Sequence, residues 1–329
     1  MKYIFLLFFP FLLLCASDTT EYKIGNGYSF DKMLTVGGYF SSEYKQSELE
    51  RAFRIDDVAV MAYGELNPQL NYMVEFEAAS FYQYDLKRET DKANTQFHAE
   101  RVYMNYCYSD NLGVRVGKQI TPIGYWNLQP INVLRDTTSN PLYSYYLFPK
   151  FLTGITLSGF VGSSYDTTYH LFAQETRDLD KSYINISTDH FVGATIEHEL
   201  SMESSIGGGI GQFTTLNNET FNFAVVNAKY SENALELSTE YMVRKSSSDN
   251  VQHDKSMGGY LQVLYRFSDE HAVVSRYEYF DDNDIIGKDQ VFLFGYSYRP
   301  IYPVSLKAEY QWHEQSDQNK FLASFSVLF

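Results

Sequence analysis

Sixteen stretches of this chain alternate apolar and polar residues with a period of two, and no apolar run beyond the N-terminus reaches the ~18–20 residues that a spanning helix needs. Val304-Ser305-Leu306-Lys307-Ala308-Glu309-Tyr310-Gln311-Trp312 alternates without a fault. Leu235 to Arg244 does nearly as well, and Leu261, Val263, Tyr265 and Phe267 oppose Tyr260, Gln262 and Arg266. Such a period describes a strand with one apolar and one polar face. The stretches run over about 34–44, 52–66, 70–79, 98–109, 112–119, 153–161, 167–173, 191–200, 204–213, 221–230, 234–244, 258–267, 271–280, 288–299, 303–313 and 321–329. In a soluble sandwich the apolar face points inward, whereas in a membrane barrel it points to lipid.

The connections favour the barrel. Short ones such as Asn67-Pro68-Gln69, Asp110-Asn111, Ser201-Met202-Glu203, Ser231-Glu232-Asn233, Ser268-Asp269-Glu270 and Pro300-Ile301-Tyr302 alternate with longer ones at 45–51, 80–97, 120–152, 174–190, 214–220, 245–257, 281–287 and 314–320. Outer-membrane barrels have an even strand number, short periplasmic turns and longer outer loops, which puts both termini in the periplasm. The prolines beyond residue 17 all fall in loops or at a strand start, so none removes a ladder N–H where lipid could not replace it. With 29 Tyr and 25 Phe the chain is too aromatic for a disordered segment, and rings such as Tyr106, Tyr108, Tyr277, Tyr279, Tyr296, Tyr298, Tyr310 and Trp312 sit near strand ends, where the membrane–water boundary suits them. A net charge of −15 argues against nucleic acid as a partner.

The first residues differ from the rest. Lys2 precedes an apolar run from Tyr3 to Leu14, followed by Cys15-Ala16-Ser17, the layout of a cleaved secretory signal over residues 1–17. Leu13 and Leu14 stand where a lipidation site needs small residues. Residues 18–33 then form a short periplasmic N-terminal segment, and 34–329 the transmembrane antiparallel β-barrel. Cys107 is the one cysteine left, so no internal disulfide can form. On its strand it reads as an inert wall residue.

The longest connection, about 120–152, begins Gly117-Lys118-Gln119-Ile120-Thr121-Pro122-Ile123-Gly124-Tyr125-Trp126-Asn127 and contains Pro130, Pro141 and Pro149. A stiff loop of this length inside a compact fold is usually functional. Together with the strand number, this Gly-Lys…Pro-x-Gly entry makes residues 34–329 resemble Gram-negative outer-membrane porins, in particular the phosphate-selective porin (porin O and P) superfamily. The final Phe321 to Phe329 strand, ending on an aromatic, resembles the signal read by the barrel-assembly machinery. The resemblance implies passive diffusion through a water-filled channel, an inward-folded constriction loop carrying Trp126, Arg135, Asp136 and Lys150, a homotrimer, and contact with outer-membrane lipid and lipopolysaccharide. It implies no cofactor, no metal and no catalytic residue.

The predicted lumen departs from a phosphate channel. Its basic residues are Arg101, Arg115, Arg244, Arg266, Arg276 and Lys307, and its acids include Glu75, Glu77, Glu197, Glu199, Glu236, Glu240, Glu278 and Glu309. A mixed wall with acids in excess offers no deep positive well, so weak cation preference is expected, with anion selectivity through Arg135 and Lys150 as the alternative. Ser205, Gly207, Gly209 and Gly211 could leave room for the inward loop or mark a bend or a protomer contact. A barrel adhesin or a barrel enzyme are the other readings. Seven scattered histidines, no Gly-x-Ser-x-Gly and no His-Glu-x-x-His weigh against an enzyme, and the adjacent Asp189-His190 would face opposite ways on a strand. Asp281-Asp282-Asn283-Asp284 lacks the glycine and distant glutamate of a calcium loop and reads as a solvated outer loop.

Overall fold

Alternation becomes pairing in the computed structural model, which describes residues 21–162, 165–179, 185–247, 255–282, 287–314 and 316–329. The expected signal, 1–17, lies outside them. Two short strands, β1 (Glu21–Lys23) and β2 (Gly27–Ser29), form a hairpin at the start of β3 (Thr35–Ser47). There follow β4 (Arg51–Asn67), β5 (Leu70–Asp85), the three-residue β6 (Thr90–Lys92), β7 (Gln96–Ser109), β8 (Leu112–Ile120), β9 (Phe151–Phe160), β10 (Thr167–Gln174) and β11 (Thr188–Ser201). The chain continues through β12 (Ser204–Thr215), β13 (Thr220–Glu232), β14 (Leu235–Ser246), β15 (Lys255–Arg266), β16 (His271–Asp282), β17 (Gly287–Ile301), β18 (Val304–His313) and β19 (Lys320–Leu328). Leaving aside β1, β2 and β6, these are the sixteen expected strands, each antiparallel to its neighbours.

Closure comes from the two ends of the chain. β19 pairs with β3 from Lys320↔Ser47 to Leu328↔Tyr39, and Phe329 exchanges both backbone hydrogen bonds with Gly38 (2.7 and 2.8 Å). A closed ladder leaves no open edge, the condition for standing in lipid. Rings cover the seam: Phe40 lies 6.3 Å from Phe325, and Tyr44 6.3 Å from Phe321. The apolar face is the outer one, since Ile210, Val226, Phe292 and Phe294 are more than half exposed while Phe213, Val225 and Leu293 beside them are buried. Val226 stands mid-strand on β13, so Val226→Lys should cost about 2–4 kcal/mol of stability, as for a charge at the bilayer midplane. Urea unfolding in lipid vesicles checks this; an unchanged midpoint would mean that lipid does not cover this face.

Two expectations need correction. The loops are less unequal than the sequence implied, because strands overrun their predicted limits. The connection expected over 45–51 is residues 48–50, and that over 214–220 is residues 216–219. The inner face is also not uniformly polar. Phe172, Phe191, Phe213, Phe223, Val225, Met242, Tyr260 and Phe280, from β10 to β16, form one apolar cluster with Ile123, Trp126, Tyr143, Leu147, Phe148 and Leu152 of the long loop and the strand after it. On these strands both faces are apolar, which period two does not distinguish from a core strand.

Candidate functional site

The long loop, residues 121–150, carries only a 3-10 turn (Asn132–Leu134) and one helical turn (Leu142–Tyr146), so most of its backbone polar groups need partners from elsewhere. The inner side chains of the wall supply them. Glu240 of β14 accepts from the Trp126 amide (2.8 Å) and from the hydroxyls of Tyr143 (2.6 Å) and Tyr260 (2.7 Å). Glu309 of β18 accepts from the amides of Thr138 (2.8 Å) and Ser139 (3.2 Å), and Glu278 of β16 from that of Leu142 (2.8 Å). Bases take the carbonyls: Arg244 that of Tyr146 (2.8 Å), Arg276 that of Ser139 (3.3 Å), and Lys307 those of Asn132 (2.7 Å) and Thr137 (3.1 Å). Arg299 of β17 donates to the carbonyls of Val133 and Arg135.

Six residues expected to face open water, Glu240, Arg244, Arg276, Glu278, Lys307 and Glu309, are therefore buried and occupied in holding the loop. The loop's own charges are not solvated either. Asp136 is clamped by Arg266 (2.6 Å) and Arg299 (3.2 Å). Burial would raise its carboxyl, but these guanidiniums outweigh it and hold the group below the usual carboxylate range. Trp126 gives its indole N–H to Asn140 (3.0 Å), meets the Tyr260 ring edge-on at 5.8 Å and carries the Arg276 guanidinium 5.0 Å from its centroid. Gly124, at φ +65°, permits the close approach, because a Cβ there would lie 1.6 Å from a Glu240 oxygen.

Beside the loop lies a cavity of about 570 Å³ lined by residues of β3, β4, β5 and β7 and, further round the wall, of β16 to β19. Glu75, Glu77 and Arg101 line it, Glu75 paired with Arg101. Asp56, Asp57 and Glu100 also line it and were missed, because adjacent residues should face opposite ways. Bulges undo that rule. Register passes from Phe40↔Val58 to Ser42↔Ile55 between β3 and β4, leaving Asp56 and Asp57 opposite Ser41, whose hydroxyl donates to Asp57 (2.9 Å). Between β5 and β7 it passes from Glu75↔Arg101 to Phe76↔Ala99, leaving Glu100 extra. Two neighbouring charges, Glu100 and Arg101, thereby reach the same cavity. The surviving sequence cue is an unbroken charged pair inside an otherwise alternating strand.

Arg135 and Lys150 close the cavity from the loop side. Arg135 is 8% exposed and sits 5.7 Å from the Trp126 centroid, with burial holding its guanidinium below its usual value. Lys150 lies 4.3 Å over the Tyr145 ring, and burial, helped by Arg135, pushes its ammonium down to about 7.

The remaining candidates stand apart. Arg115 stacks on Tyr103 (4.5 Å), and Glu236 pairs with Lys229 (3.7 Å) near the short turns. Tyr125 bonds Ser205 (2.8 Å), so the loop does reach the Gly207–Gly211 strand. Asp189 pairs with Arg177 (3.1 Å), and His190 lies 3.8 Å from Glu175, so the two form no dyad. Asp282, expected in a solvated loop, is buried on β16 and bonded to Arg244 (2.8 Å); Asn283 and Asp284 lie outside the described residues. Cys107 is exposed and accepts from the Asn105 amide (3.2 Å).

Solved structures share this architecture. The chain superposes on Salmonella typhi OmpF, solved in complex with daunomycin, with a TM-score of 0.64 at 12% identity, covering 94% of this chain and 100% of that one. The anion-selective porin from Comamonas acidovorans gives 0.62 at 12%, with 90% and 99% covered. The trimer form of OmpT, an outer membrane protein of Vibrio cholerae, gives 0.63 at 13%, with 90% and 99% covered. These likenesses establish the fold. No curated protein matches the chain in sequence. Residues 68–325 match the family described as "Putative beta-barrel porin-2, OmpL-like", and the chain, a closed sixteen-stranded outer-membrane barrel, belongs to that family of porins.

Proposed function

We propose that this porin lets ions and small hydrophilic solutes diffuse across the outer membrane through the space between residues 121–150 and β3–β7, with the loop folded into the lumen as its constriction. The observation that carries this reading is the set of loop-to-wall hydrogen bonds, in which Glu240, Glu278 and Glu309 take the loop's amides and Arg244, Arg276, Arg299 and Lys307 its carbonyls. A loop held so firmly does not swing clear, so it sets the size cutoff. Diffusion down a gradient requires no catalytic group. Acids outnumber bases only narrowly among the charged residues lining the passage, with Asp56, Asp57, Glu77 and Glu100 on the wall set against Arg135 and Lys150 on the loop, which favours cations weakly. Removal of residues 1–17, periplasmic termini, a homotrimer, a lipid and lipopolysaccharide surround and recognition of Phe329 by the assembly machinery complete the reading.

Planar-bilayer recording under a KCl gradient tests it. Stepwise conductance with a mildly cation-selective reversal potential is expected. A marked anion preference would favour the anion-selective alternative through Arg135 and Lys150, and a silent barrel would reject the channel reading in favour of an adhesin or enzyme.

A further inference from the structure

The buried cations around the loop are satisfied unequally. Arg276 has Glu278 (2.7 Å), Arg244 has Asp282 (2.8 Å), Arg101 has Glu75 and Arg299 has Asp136 (3.2 Å). Arg135, next in the chain to the doubly paired Asp136, has none. More than nine-tenths buried, its guanidinium makes no hydrogen bond or ion pair among the described residues, and its Nε is enclosed without a partner. The Lys150 ammonium likewise rests on the Tyr145 ring and bonds no carboxylate among the described residues. Both border the 570 Å³ cavity, a volume within the ~300–1,000 Å³ range of small-molecule sites. A buried guanidinium without an acceptor is costly, so an oxyanion arriving there supplies what the protein withholds.

The facing wall has the opposite character. Asp57, Glu77 and Glu100, gathered by the bulges, form no salt bridge among the described residues, and Glu77 and Asp57 lie within hydrogen-bonding reach of one another. A lone anion meets this wall as a repulsion, and a lone cation meets the loop as one. A solute carrying both charges satisfies both sides.

We propose that the cavity is a binding subsite for small zwitterions, with the solute's carboxylate taken by Arg135 and Lys150 and its ammonium by Asp57, Glu77 and Glu100. The subsite rests on the porin reading, since it would make passage of such solutes saturable. It lies beside Trp126, whose fluorescence reports on it, and Trp312, the other tryptophan of the chain, faces outward.

The test uses the barrel purified in detergent with Trp312→Phe, titrated with glycine, 4-aminobutyrate and 6-aminohexanoate, and with acetate and methylammonium as single-charge controls. A saturable change in Trp126 emission is expected with at least one of the three zwitterions and with neither control. Arg135→Gln and Glu77→Gln should each weaken it about tenfold or more, the scale of one lost charge-assisted hydrogen bond, and Arg135→Lys less. Heat-modifiable mobility on gels identifies variants that have kept the barrel. Acetate or methylammonium acting as strongly as the zwitterions, no response to any zwitterion, or a response indifferent to Arg135→Gln in a folded barrel would each overturn the subsite. Bilayer conductance measured on the same preparation separates the two conclusions. Conductance without zwitterion binding removes the subsite alone, and loss of all conductance removes the porin reading whatever the fluorescence does.

Discussion

Replacing Glu240 with alanine is expected to free the first half of the long loop and raise single-channel conductance. The carboxylate accepts from one amide and two hydroxyls in a buried setting, and each donor left without a partner costs about 1–3 kcal/mol. Two of the three donors, the Trp126 amide and the Tyr143 hydroxyl, belong to the loop, and losing both exceeds what a short segment recovers through its remaining contacts. Glu240→Gln, which keeps the shape and one acceptor, should have a smaller effect. Conductance steps and liposome-swelling rates for mono- and trisaccharides measure the change, with the larger sugar gaining more. Wild-type values in a folded alanine variant would show that the loop is held in place without this carboxylate.

Anion permeability is expected to rise as pH falls through neutrality, and Lys150→Met should remove part of that rise. The ammonium is pushed down to about 7 by burial first and Arg135 second, against the pull of Glu100, Glu77 and Asp57. A lysine so lowered is mostly neutral above that value and charged below it, so acidification places a new positive charge beside the passage. Arg135, Tyr145 and the three wall acids face the same space, and protonating an acid also favours anions. The diagnostic quantity is therefore the difference between wild type and Lys150→Met in reversal potential between roughly pH 6 and 8. Parallel curves would mean that Lys150 does not titrate in that range or does not meet the ions.

The strands, their number and their outer face were legible in the chain because period two records a local fact. Each residue's side is set by its two neighbours, so Val304 to Trp312 could be assigned without knowing what lies beside it. The long loop was legible for the same reason, as a proline-rich gap between two alternating segments. The charges of the site were not. Glu100 and Asp56 enter the cavity only because β5 and β3 pair with their strands out of step, and a bulge is a property of two strands together.

Nor could the chain show which charges remain free. Glu309 and Thr138 are 171 residues apart, and Glu240 and Trp126 114 apart, so the hydrogen bonds between them exist only once the barrel is closed. The inner aromatic cluster escaped notice because a Phe facing a packed loop and a Phe facing lipid look alike in sequence. The sequence by itself determined sixteen two-faced strands and, through the alternation of short and longer connections, favoured a barrel over a sandwich, because both signals are local to the chain. Tertiary structure alone decided which of its many inward charges are consumed in fastening the loop and which, like Arg135, are left without a hydrogen-bonding partner among the described residues.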